Sequence, residues 1–410
     1  MNVGSTRTQN AANVTIQGTT GNDVVEITIT ADGIQVRVNN QVQNISSDAK
    51  NFSFDGLGGN DQLIINGYAN DDVVTLNAKE NYISWNAKNG AYNISATNVE
   101  KVNFNSGGGN NALFVVTSQT GSMLEVKGDQ LTMSGSGLQY NATGFQTIDA
   151  RSSSAYDYVH LYDTAGDDHV EMYSGAVSMV GDFYNNTLIG FKMVTAYSSR
   201  GNDTVVMHGT EGNDSLLAGA TQATLITGQC RNTAQGFKNV YVYGNGGVDT
   251  ALFSGTQFND TYTGTVSCST MLFGGYNSSV SAYDFSKLNV QGNGGFDKAT
   301  LAGKATVANT FTGELAQASL TANGYSQTLK GFSNVKVIGN QMDSATLIRP
   351  TTARNVQSDS DIYSMVSDDT ELYRLIAFGH VEGKVKTLSG DAQLETMEKT
   401  DEYLRKLGEM

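Results

Sequence analysis

The chain has 410 residues, with 46 glycines, a single proline, 16% charged residues and a net charge of −15. An acidic chain without a basic cluster excludes a nucleic-acid binder, because phosphate neutralisation needs Lys/Arg patches. No apolar run approaches the roughly 20 residues of a membrane-spanning helix, and the Asn/Ser/Thr/Gly/Val-rich composition belongs to turns and strands rather than to helices.

Residues 1–15 read as an N-terminal arm. Met1-Asn2-Val3-Gly4-Ser5 offers neither the charged n-region nor the apolar h-region of a secretory leader. Repetitive Asn/Gly/Thr-rich β-chains are more often exported, so the expected location is extracellular or cell-surface, with a leader already removed.

Residues 16–349 carry a repeat of about 46 residues. Asp157, Asp168, Asp203, Asp214, Asp249, Asp260 and Asp297 each follow a Gly/Asn-rich turn, at gaps of 11, 35, 11, 35, 11 and 37. Asp23, Asp61, Asp72 and Asn111 extend the series upstream, and Asp343 closes it. A second column, Phe145, Phe191, Phe237, Phe285 and Phe332, has gaps of 46, 46, 48 and 47. Glycine precedes four of these phenylalanines and Asp284 the other. The column reads as an internal structural ladder, each ring stacked on the next unit's ring.

Between the columns lie runs such as Ala223-Thr224-Leu225-Ile226-Thr227, giving four or five strands of about five residues per unit. No unit can bury its apolar face alone, so neighbours must stack. The expected fold is an all-β, right-handed parallel β-solenoid of about seven units, each of two coils of about 23 residues. A seven-bladed β-propeller is the alternative. Alternation after Asp203 places Val205 and Met207 inward, and Thr204, Val206 and His208 outward.

Composition changes at Pro350: residues 351–410 hold 19 of the chain's charged residues. Thr351–Ser367 reads as a linker. Asp368-Asp369-Thr370-Glu371 has capping-box spacing, and Leu372, Leu375 and Ile376 would share a helical face. A second helix is expected from near Ser389 or Asp391, carrying Leu394, Met397, Tyr403, Leu404 and Leu407. Residues 350–410 thus predict a linker and a small helical C-terminal module, acting as an end cap or as a docking element.

Gly56-Leu57-Gly58-Gly59-Asn60-Asp61-Gln62-Leu63 and Gly209-Thr210-Glu211-Gly212-Asn213-Asp214-Ser215-Leu216 resemble single copies of the RTX calcium-binding nonapeptide. That resemblance implies Ca²⁺ at a few turns, with Asp61, Asp203 and Asp214 as ligands. The tandem nine-residue spacing is absent, and Asp capping its own tight turn is the competing reading. No cofactor is required by the fold. Over about residues 16–349 the chain is similar to long bacterial surface proteins built from tandem β-solenoid repeats with Gly-Asn-Asp and Gly-Phe-x-x-Val signatures. That likeness implies an extracellular structural or adhesive role and transfers no catalytic residue.

An enzyme would have to use His160, His169 and His208 with Asp157, Asp168, Asp203 and Arg200, on neighbouring rungs. Alternation makes the histidines outward polar positions, and no nucleophile elbow, P-loop or dinucleotide fingerprint is present. No catalytic residue is assigned. Cys230 and Cys268 are not at equivalent repeat positions and are expected to be free thiols. Asn13, Asn51, Asn202 and Asn259 begin Asn-x-Ser/Thr triplets, expected by chance in this composition. The expected function is a structural or adhesive surface protein, self-associating or contacting cell-surface components. The alternative is a carbohydrate-binding or carbohydrate-cleaving β-helix.

Overall fold

Runs that alternate apolar and polar residues form strands throughout a computed structural model. It describes residues 6–9, 12–87, 90–350, 357–359, 362–367, 370–386, 392–395 and 398–399. Among the described residues there is no helix, and so none long and apolar enough to cross a membrane. Most strands have five or six residues, and in most of the five-residue ones the second and fourth side chains are buried. Val205 and Met207 are fully buried while Thr204, Val206 and His208 stay half-exposed, as alternation requires.

The chain divides into two compact units, Met1–Val205 with Gln229–Gln235, and Val206–Gly228 with Gly236–Met410. Each is a β-solenoid of two facing sheets whose strands pair mostly in parallel with strands 35 to 42 residues away. A propeller blade would pair sequence neighbours only, in antiparallel fashion, so the propeller is not formed.

The path of the chain differs from a plain two-strand coil. In the first unit, Met123–Lys127, Gln130–Gly135 and Leu138–Thr143 form an antiparallel meander in the second sheet. Thr147–Arg151 then crosses to the first sheet and Tyr158–Tyr162 returns to the second. His169–Tyr173, Ala176–Gly181 and Tyr184–Ile189 make the next meander, now in the first sheet. A 46-residue unit therefore makes three half-turns, and successive meanders fall on opposite sheets. The second unit repeats this, with Cys268–Phe273 and Ser278–Tyr283 in its first sheet and Gln317–Ala322 and Tyr325–Lys330 in its second.

This topology accounts for the two spacings. Asp157 and Asp168, 11 apart, open strands in different sheets, whereas Asp168 and Asp203, 35 apart, open strands whose corners are hydrogen-bonded neighbours. It also corrects the expected two coils of about 23 residues per unit: residues 22 apart, such as Asp149 and Glu171, lie in one sheet with two other strands between them.

The phenylalanine ladder is corrected for the same reason. Phe145 precedes a first-sheet strand and Phe191 a second-sheet strand, so consecutive members do not sit over one another. In the second unit Phe237, Phe285 and Phe332 alternate in the same way. The first four are buried and Phe332 is half-buried. Phe145 packs edge-on against Phe104 (5.2 Å) and Phe332 lies 6.3 Å from Tyr262. The residue before each Phe is left-handed, with φ of 83° at Gly144 and 61° at Asp284, which explains the glycine preference there.

The core lies between the sheets. Trp85 meets Phe104 at 5.0 Å, Phe253 meets Tyr262 at 5.7 Å, and Phe311 meets Tyr373 at 5.8 Å. Each such ring contributes about 1.5–3 kcal/mol of burial. Cross-core ties join one meander to the previous meander's hairpin. Asn186 Nδ2 donates to the Gly128 carbonyl (2.8 Å), Asn232 Nδ2 to Tyr173 (2.9 Å), Ser278 Oγ to Ala220 (2.7 Å), and the Tyr325 hydroxyl to Thr265 (2.6 Å). Tyr373 makes the same tie to the Glu314 carbonyl.

The described residues of the tail form strands and no helix. Thr370–Ile376 pairs in parallel with Asn334–Ile338 and buries Tyr373 and Leu375. Leu372 and Ile376, expected beside Leu375, point to the other face. Phe378 follows left-handed Ala377 and continues the phenylalanine column. Strand Ser344–Pro350 runs through the expected boundary and pairs with His380–Lys386. Ile362–Ser367, within the expected linker, is also a strand. Leu394 lies in strand Ala392–Glu395, while Met397, Tyr403, Leu404 and Leu407 fall outside the described residues. At the other end, Asn13–Gln17 of the expected arm is already in the sheet, parallel to Asn51–Asp55. Cys230 is buried and Cys268 half-buried, both as free thiols.

Candidate functional site

Every described aspartate of the repeat column is buried at a corner. The backbone N–H of Asp23 donates to Oδ1 of Asp61 (2.7 Å), that of Asp168 to Asp203 (2.9 Å), that of Asp214 to Asp249 (2.7 Å) and that of Asp260 to Asp297 (2.7 Å). Asn111 accepts in the same way from Asp72, and Asp343 from Asn309. In the first member of several pairs the second oxygen closes the local turn. Asp23, Asp168, Asp214 and Asp260 accept the N–H of Thr19, Thr164, Thr210 and Thr256 at 2.5–2.8 Å. These carboxylates thus cap buried backbone donors that would otherwise go unpaired.

A second, exposed ladder runs beside the first in the opposite sense. The N–H of Asn60 donates to Asn22 Oδ1, that of Asn202 to Asp167, that of Val248 to Asn213 and that of Phe296 to Asn259, all at 2.7–2.8 Å. Asn202 and Asn259, which begin two of the Asn-x-Ser/Thr triplets, are therefore corner residues of this ladder.

The second members are less satisfied. Oδ2 of Asp61, Asp249 and Asp297 has no hydrogen-bond partner among the described residues. Burial pushes the carboxyls of Asp61, Asp203 and Asp249 up, outweighing the N–H donated to each, and neighbouring carboxylates add to the rise. Burial pushes Asp297 furthest, up to about 6, with the Asp260 charge adding to it. Asp23 is the opposite case. Burial would raise it, but hydrogen bonds from Asn39 and Thr19 outweigh burial and hold it low.

A carboxyl whose folded pKa is raised stabilises the fold below its unfolded pKa, near 4, and that stability is lost as pH rises through the folded value. The expected result is a melting temperature higher at pH 5 than at pH 7.5. Asp297→Asn should raise the pH 7.5 value by about 2–4 °C, the size of roughly 1 kcal/mol in a large domain, and flatten the pH dependence. Asn111 shows that an amide fits this column, its Nδ2 donating to the carbonyls of Gly108 and Gly144. Thermal scans across pH check both.

The expected calcium ligands are not brought together. Asp61 pairs with Asp23, Asp203 with Asp168, and Asp214 with Asp249. One tighter group forms around Asp203, where carboxylate oxygens of Asp163, Asp168 and Asp203 lie within 4.8 Å of one another. Donors occupy that group. Asp163 accepts the Ser199 N–H (2.5 Å) and hydroxyl (2.8 Å), Asp168 the Tyr184 hydroxyl (2.8 Å), and Asp203 the Ser198 hydroxyl (2.7 Å).

The histidines an enzyme would need do not converge on the carboxylates, although Asp168 and Asp203 lie together. His160 sits on the outer face beside Tyr158, Tyr162 and Tyr197. His169 Nδ1 lies 2.8 Å from Thr204 Oγ1, and His208 stacks on Tyr243. Asp157, Asp168 and Asp203 are buried in the capping column, and Arg200 is exposed at a corner. Several depressions mark the surface of the first unit. One of about 390 Å³ is lined by Tyr158, His160, Met193 and Arg231, and one of about 570 Å³ by Asn, Ser and Thr side chains with Tyr82. Neither of these contains the paired carboxylates of a glycosidase; a third, of about 370 Å³, is lined by Asp129, Asp163, Phe183 and Arg200, and its Asp163 carboxylate already accepts the Ser199 N–H and hydroxyl.

Stacked rings do occur, on the outside. Tyr162 and Tyr197 stack at 4.8 Å, and Tyr243 and Tyr283 at 4.6 Å. These residues close neighbouring parallel strands, at separations of 35 and 40. The signal that could have found the Tyr162–Tyr197 pair is the 35-residue gap of the aspartate column, which marks true neighbours. No protein-family model matches this chain, and no curated protein matches it either.

Proposed function

We propose that the protein is an extracellular structural or adhesive surface protein, a β-solenoid scaffold that presents weakly charged faces. The observation that supports this most is the use of the repeated carboxylates: they cap backbone amides at corners instead of converging on an open site. Outward strand positions carry polar uncharged residues, among them Thr250, Asn289, Thr312 and Thr346. Such a surface suits presentation and contact better than turnover.

Labelling of intact source cells with a membrane-impermeant reagent tests the location. Labelled protein supports the reading, and protection until lysis overturns it. Self-association through the ends or the C-terminal segment belongs to the same proposal, and a monomeric mass at all concentrations would remove that part.

The corners are proposed to work without metal. A cation at Asp203 or Asp214 would meet oxygens already facing N–H or O–H donors, and at Asp61 only one buried oxygen, Oδ2, is without a donor among the described residues. Melting with and without a calcium chelator should give the same midpoint, because a ligand bound only by the folded state must shift it.

A further inference from the structure

The trough of about 570 Å³ lies on the outer face of the first sheet in the first unit. It crosses four strands in the spatial order Asn13–Gln17, Asn51–Asp55, Tyr92–Thr97 and Tyr82–Ala87. Strand register aligns their side chains into two rows across the sheet. Asn13, Asn51, Asn93 and Asn86 form one row. Thr15, Ser53, Ser95 and Ser84 form the other.

The amide row is held in place by its own bonds. Asn51 Nδ2 donates to Asn13 Oδ1 (2.9 Å), Asn93 Nδ2 to Asn51 (3.2 Å) and Asn86 Nδ2 to Asn93 (3.3 Å). Within the row Asn51 and Asn93 each use one N–H, and a primary amide has two, with two acceptor lone pairs. The hydroxyl row is made of small residues and forms the floor. Tyr82, 37% exposed, stands at the margin. No Asp, Glu, Lys or Arg lines the trough.

We infer that this trough binds an extended, uncharged polysaccharide laid across the strands. Three features select that occupant. The lining offers fixed, neutral donors and acceptors, which suit ligand hydroxyls, and offers no cation for a polyanion. The rows repeat at the strand spacing of about 4.8 Å, close to the length of one pyranose in an extended glycan. The inner strands are paired on both sides, so a peptide cannot add as a further strand here. The amide row meets the sugar hydroxyls along one side, and the Tyr82 ring covers an apolar sugar face at the other. The inference rests on the surface reading above for the source of its ligand.

The test is calorimetric titration of the full chain with cellohexaose, xylohexaose, mannohexaose and chitohexaose, with polygalacturonate as the anionic control. At least one neutral hexasaccharide should bind. Ser53→Arg with Ser95→Arg, which fills the floor, should weaken it at least about tenfold. Thr312→Arg with Thr346→Arg, on the second unit's outer face, should leave binding unchanged. If the floor variant fails to fold, Tyr82→Ala at its exposed strand end should give a similar loss. Absence of binding by all four, equal binding by the floor or Tyr82 variant, or binding of polygalacturonate alone overturns the inference. A surface-labelled protein that binds none of them sinks this inference and leaves the surface reading standing. An intracellular one that binds does the reverse.

Discussion

Gly56→Ala should destabilise the first unit by about 3 kcal/mol or more. A Cβ at Gly56 would overlap the Asn98 carbonyl oxygen and the Asp61 carboxylate together. Neither can retreat. The Asn98 carbonyl belongs to the adjoining corner's backbone, and Asp61 Oδ1 accepts the Asp23 N–H. Glycine is therefore required five residues before Asp61 by space, not by backbone angle. The same overlap recurs at Gly244 with Asp249 and at Gly292 with Asp297. Where the position is Ser198, its hydroxyl instead donates to Asp203. Gly58→Ala is the control, since a Cβ there meets nothing within 4 Å, and its cost should stay below about 1 kcal/mol. Urea unfolding followed by fluorescence of Trp85, the chain's single tryptophan and buried in this unit, reads both variants.

Asn186→Ala should cost about 2–3 kcal/mol by the same measurement. Asn186 is fully buried and its amide ties the Gly128 hairpin across the core. Truncation leaves that carbonyl without its donor and opens a void between the sheets. Asn185→Ala, one residue away and exposed, should stay within about 0.5 kcal/mol. Equal costs at the two positions would mean that the tie contributes nothing. Tyr325 and Tyr373 make comparable ties, and burial pushes both phenols up.

Much of the architecture was legible in the sequence. The 46-residue period, the strand alternation at Val205 and Met207 and the inward phenylalanines follow from spacing and polarity alone. The three half-turns per unit do not, because a hairpin and a corner both look like a Gly/Asn-rich break between strands. Break length distinguishes them between Tyr158 and Ile189 but not throughout, since four residues separate Asn77 from Tyr82, a hairpin, and three separate Thr143 from Thr147, a corner. Two residues separate Tyr173 from Ala176 and Gly181 from Tyr184, the two-residue hairpins of an antiparallel meander. Six separate Tyr162 from His169, a corner. The tail misled for a similar reason. Leu372, Leu375 and Ile376 fit a helical face, but Tyr373 and Leu375 alternate as a strand does, and Phe378 marks one more corner. The aspartates were legible as turn residues. Their bonding to the neighbouring corner's backbone was not, since it depends on which turns stack.

Stacking at three half-turns per unit is the claim on which the fold, the ladders and the trough all depend. Oxidative cross-linking tests it in a chain carrying Cys230→Ala and Cys268→Ala. Asp149 and Thr187 are paired in register on neighbouring parallel strands, so Asp149→Cys with Thr187→Cys should form a disulfide readily. Asp149 and Glu171 stand three strands apart, roughly 14 Å, so Asp149→Cys with Glu171→Cys should not. A simple coil of about 23 residues would reverse the two results, and that reversal would contradict the account.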